Sequence, residues 1–138
     1  MKRIALIIIA ILISVNVYAV TKEEAAEIKA YLFIQGKTAE RLNGLFEDLN
    51  EGLVSFDLVH DKLMRWSNDY KAETEPVPEE AEDLDGLMNE YFDVMGKYIL
   101  AYKVKDERNA PALKEKAEEV YQEIKREEGE IRVEIGEE

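Results

Sequence analysis

Apolar residues fill the chain from Ile4 to Val17, broken only by Ser14 and Asn16. The run follows Met1-Lys2-Arg3 and closes on Val17-Tyr18-Ala19. A basic start, an apolar stretch and small residues three and one before a junction are the parts of a cleavable export signal, so residues 1–19 are expected to be a signal peptide cut after Ala19. The run is short against the roughly 20 apolar residues of a membrane-spanning helix. An uncleaved N-terminal anchor is the alternative, and both readings place the rest of the chain in a secreted or periplasmic setting.

From Thr21 the pattern changes to a heptad-like stripe: Ala25, Ile28, Leu32, Gln35, Ala39, Leu42, Phe46, Leu49, with Gln35 the polar exception. That spacing predicts a helix buried along one face. Continued unchanged, the register would bring His60 and Ser67 into the seam. A shift of one residue after Leu53 instead gives Phe56, Val59, Leu63, Trp66 and Tyr70. The shift marks a break at Asn50-Glu51-Gly52-Leu53, where glycine can take a left-handed cap and Ser55 can start a second helix over 56–73.

Pro76-Val77-Pro78 ends that helix, and Glu79, Glu80, Glu82 and Asp83 suit the positive end of the next helix dipole. The third helix has the seam Ala81, Leu84, Met88, Tyr91, Met95, Tyr98, Tyr102, and between Tyr91 and Tyr102 it is apolar nearly all round, as expected of a central or intersubunit helix. A fourth follows an Asn109 cap and Pro111, with the seam Leu113, Ala117, Val120, Ile124 and a stop at Gly129. Ile131, Val133 and Ile135 then alternate with charge in a segment that reads as a frayed acidic C-terminal tail over 130–138.

Helices joined by short loops pack antiparallel to their neighbours. The expected fold is all-α: an up-and-down antiparallel four-helix bundle over 20–129 after the N-terminal signal peptide. The alternative is a three-helix arrangement with one long helix over 22–73, about 78 Å in length. That version would bare Ile28, Leu32, Phe33 and Ile34 and would have to dimerise.

Charge narrows the function. The chain carries 31 acidic against 18 basic residues, a net −13, and two of the bases, Lys2 and Arg3, belong to the leader. A body this acidic repels phosphate backbones and anionic lipid headgroups, so nucleic acid and electrostatic membrane docking are not expected. Without cysteine there is no disulfide and no thiol chemistry.

Little catalytic material remains. His60 is the only histidine, which removes multi-histidine zinc sites. Asp57 and His60 form half of a carboxylate-bridged di-iron motif, and the other half is missing. Met64 beside His60 offers two ligands for copper and no third. His60 with Met88 or Met95 on a facing helix could supply an axial haem pair, an arrangement similar in outline to the four-helix haem cytochromes. In that family the ligands lie on the first and last helices, whereas here the first has no methionine and the last no histidine. Gly36-Lys37-Thr38 has Tyr31 where a phosphate-binding loop needs glycine, and the carboxylate runs lack calcium-loop spacing.

The expected function is therefore that of an exported, acidic, non-catalytic helical bundle, without a cofactor, that binds a protein or peptide partner or acts structurally in the cell envelope. The alternative is a haem or metal carrier using His60 with a methionine. Two apolar zones are wider than one stripe, residues 31–34 and 91–102, so Tyr31, Phe33, Ile34, Phe92 and Ile99 are the candidate partner interface. A homodimer is favoured over a groove for another protein.

Overall fold

The computed structural model describes residues 20–136, so the expected leader and its cleavage point lie outside the described residues. Four α-helices follow one another: α1 (Lys22–Asn50), α2 (Phe56–Thr74), α3 (Glu82–Lys103) and α4 (Ala110–Glu134), with a 3-10 turn at Glu79–Ala81 leading into α3. No strand occurs among the described residues.

Local chemistry sets each boundary. Thr21 and Glu24 form a reciprocal capping box at the start of α1, the Glu24 amide donating to Thr21 Oγ1 at 3.1 Å. At its end the Leu53 amide donates to the Asp48 carbonyl at 2.9 Å and the Gly52 amide to that of Leu49 at 3.1 Å. This is a Schellman closure with Gly52 at φ +71, and it rules out one helix over 22–73. Ser55 then caps α2 by accepting from the Leu58 amide, as the shifted register requires.

The last helix departs from expectation at both ends. Asn109 holds the N-cap position but makes no side-chain cap. Asp106 does the organising instead, accepting from the amides of Arg108 at 3.2 Å and Asn109 at 3.1 Å and from Asn109 Nδ2 at 2.8 Å. At the other end α4 runs straight through Gly129, and Ile131 is 2% exposed. The buried stripe Ala117, Val120, Ile124, Glu128, Ile131 keeps helical spacing across the glycine, so the apparent alternation of Ile131, Val133 and Ile135 places two residues inward and one outward. Glycine inside a helix costs about 1 kcal/mol relative to alanine, and burying one isoleucine returns about 1.5–3 kcal/mol. The helix therefore continues, and Gly136, at φ +83, follows its end.

The four helices share one core. Residues Ile28, Leu32, Leu42, Leu49, Val59, Leu84, Met88, Met95, Val120 and Ile124 are closed off from solvent. Every sequential pair of helices packs together, and α1 also touches α3 and α4. Early residues of one helix meet late residues of the next: Tyr31 with Tyr70, Phe56 with Tyr102, and Tyr70 with Asp85. Aromatic edges add to this packing, with Tyr91 and Tyr121 rings 5.9 Å apart between α3 and α4.

Candidate functional site

The haem-ligand candidates are not brought together. His60 is exposed on α2, whereas Met88 and Met95 are fully buried. Met88 Sδ accepts from Gln35 Nε2 at 3.4 Å, which makes it a core filler with a polar neighbour. Among the described residues no three His, Cys, Asp or Glu side chains converge as a metal cage.

The interface candidates divide. Tyr31, Phe92 and Ile99 are buried, Ile34 is half-buried, and Phe33 is 72% exposed. The apolar circumference of α3 has a structural account: α1, α2 and α4 surround it, so the surface that looked surplus is mostly core. Phe33 borders a shallow depression with Gly36, Lys37 and Arg132.

Between α2 and α3 lies a groove of about 580 Å³, and three sequence candidates line it: His60, Phe92 and Ile99. Leu63 and Gly96 also line it, and the glycine leaves room beside Leu63 Cδ2. Met64 on one wall is 50% exposed and Leu100 on the other 62%. Charges of both signs edge the groove, Lys97 pairing with Asp93 at 2.9 Å and Lys103 facing Asp57 at 4.0 Å. In the sequence Met64 stands out only as a metal ligand beside His60, and Leu100 only as part of a wide apolar run. The packing of α2 against α3 is what sets both beside one opening.

The interior holds two polar chains that periodicity could not reveal. In the first, Tyr70 Oη donates to Asp85 Oδ1 at 2.6 Å, which uses its one proton, so the 2.6 Å contact with Tyr31 is a bond donated by Tyr31. Burial pushes both phenols far above the usual tyrosine range, and the neighbouring Asp85 carboxylate adds to it. In the second, Gln35 Nε2 donates to Glu128 Oε1 at 2.8 Å, and Lys125 Nζ lies 3.6 Å from Glu128 Oε2. Gln35 Oε1 is left buried without a partner. These groups tie α1 to α2, α3 and α4. None lines the α2–α3 groove, and apart from Gln35 Oε1 their role is to pair buried polar groups between helices.

Comparison with protein-family models, with curated proteins and with solved structures yields no match. Among the described residues no helix is long and apolar enough to cross a membrane.

Proposed function

We propose that the chain is an exported, non-catalytic helical module of the cell envelope or exterior, folded as an up-and-down antiparallel bundle, that self-associates through the α2–α3 groove. One observation carries the binding role: an apolar opening between two helices, flanked by the exposed Met64 and Leu100. Apolar surface gathered around a groove is the usual mark of a docking site.

A second copy is the occupant that the charges favour. Most of the surface is acidic and repels another such molecule. The groove edge is balanced, with Asp57 and Asp93 against Lys97 and Lys103, so a two-fold pairing can set each acid of one copy near a base of the other. The antiparallel reading is supported by the early-to-late contacts between successive helices, and export by the leader-like composition of residues 1–19.

Sedimentation of the exported protein over a wide concentration range tests the proposal. The native chain is expected to dimerise, and Met64→Glu with Leu100→Glu to remain monomeric with an unchanged melting temperature, since both side chains are exposed in the free molecule. A native chain that stays monomeric throughout overturns self-association and leaves the groove to a different protein. Intact mass of the exported product tests the leader: loss of residues 1–19 is expected, and recovery of the full chain in membranes would make it an anchor.

A further inference from the structure

We propose that the end of the bundle formed by residues 51–55 and 104–109 binds small organic anions, molecules with a flat apolar body and one carboxylate or sulfonate. This site adjoins the self-association groove, sharing Phe56 and Lys103 with it, and is argued from Tyr98, Tyr102, Lys105 and Lys114, which the groove lacks.

A concavity of about 630 Å³ opens there, walled by Phe56, Tyr98 and Tyr102. The rings are contiguous, Phe56 to Tyr102 at 5.2 Å and Tyr102 to Tyr98 at 6.0 Å between centroids. Pockets of this size with aromatic walls and a few charged groups are what small-molecule sites look like. Tyr98 is fixed from behind, its hydroxyl donating to Asn50 Oδ1 and its ring against Phe46 at 5.1 Å.

The charges specify the ligand's sign. Lys103, Lys105 and Lys114 line the opening. Lys103 is 4.0 Å from Asp57, and Lys105 and Lys114 have no carboxylate within ion-pair distance among the described residues. Two acids share the lining, Asp106 and Glu107, so the lysines outnumber them three to two, and the Asp106 carboxylate is engaged by the Arg108 and Asn109 amides and by Asn109 Nδ2.

The segment joining α2 to α3 has the opposite balance. Residues 97–116 hold six basic and three acidic side chains, whereas residues 73–85 hold seven acids and no base. An anion repelled by residues 73–85 meets a basic excess in residues 97–116. Lys105 moreover occupies the left-handed region at φ +57, at a helix C-terminus where glycine is the unstrained choice. The lysine at that position sets a charge at the mouth of the pocket.

The test is titration calorimetry of the full exported protein with naphthoate and with its neutral analogue naphthamide. Naphthoate is expected to bind saturably at one site per chain and at least about tenfold more tightly than naphthamide. Lys105→Gln with Lys114→Gln should abolish that preference, and Phe56→Ala should weaken both probes. Met64→Glu with Leu100→Glu, which lies outside this pocket, should leave naphthoate binding intact whether or not it abolishes dimers. Circular dichroism melting of the lysine variant should match the native chain, because both side chains are exposed. Equal affinity for the two probes, naphthoate binding unchanged in the double lysine variant, or no saturable binding at all would each overturn the proposal.

Discussion

At the scale of single residues, the most informative position is the polar exception in the α1 stripe. Gln35 is fully buried and donates to Glu128, so Gln35→Leu leaves that carboxylate in the core with only Lys125 at 3.6 Å. The expected loss is about 1–3 kcal/mol, measured by urea unfolding. Gln35→Leu combined with Glu128→Leu should cost less than the two single changes added together, because the second replacement removes the group that the first strands. Additive costs would show that the two side chains do not act as a pair. Lys105→Gly works in the opposite direction. It relieves a left-handed strain of about 1–2 kcal/mol and loses part of that to the freer unfolded chain, so stability should rise by about 0.5–1 kcal/mol while the pocket loses a cation. The sequence exposed Gln35 as an anomaly but concealed its partner. Glu128 sits in a run of acids that reads as solvated, and its burial depends on a residue 93 positions away. Tyr31 was likewise legible as apolar, whereas its hydrogen bond to Tyr70 required knowing which turns of α1 and α2 are level.

At the scale of elements, the break between α1 and α2 was readable because two local signals agree: a one-residue slip of the apolar stripe, and Gly52 followed by Ser55. The end of α4 was not, because two signals conflict. Gly129 satisfies the local rule for a stop, and the stripe through Ile131 satisfies the tertiary rule for continuing; burial of the isoleucine outweighs the cost of the glycine. Ile131→Ala should therefore cost about 2–4 kcal/mol, as for a core isoleucine, and Gly129→Ala should stabilise by about 1 kcal/mol, both read from chemical denaturation. A frayed tail would make both changes silent. The concavities were the least legible features. The α2–α3 groove and the aromatic pocket depend on how far helices splay and where two loops meet, and no periodicity within one helix encodes either.

At the scale of the whole molecule, titration and association follow from what is buried and what is charged. Tyr31, Tyr70 and Tyr91 are held well above the usual tyrosine range by burial. Their contribution is complete below pH 10, the unfolded tyrosine value, and is lost as pH rises above it, since the unfolded chain then sheds protons that the folded chain retains. Three such groups give a fall of roughly 4 kcal/mol per pH unit above pH 10, against a total stability of about 5–15 kcal/mol. Unfolding free energies between pH 8 and pH 11 should be flat at first and then drop steeply, and Tyr91→Phe should make the drop shallower. Association is governed by a different balance. Two exported copies, each carrying −15 rather than −13 once Lys2 and Arg3 leave with the leader, repel over a screening length of about 10 Å at 0.1 M salt, while Met64, Leu100 and the groove between them supply apolar area, whose burial salt does not weaken. Two acids and two bases edge that groove, and exposed pairs of this kind contribute less than about 1 kcal/mol each. Long-range repulsion should therefore outweigh the local pairs, and the dimer should tighten as sodium chloride rises from low to moderate concentration. Sedimentation equilibrium across that range reads the sign directly. A dimer that loosens with salt would mean that Asp57, Asp93, Lys97 and Lys103 hold the copies together, and Asp93→Asn would then weaken association more than Leu100→Ala.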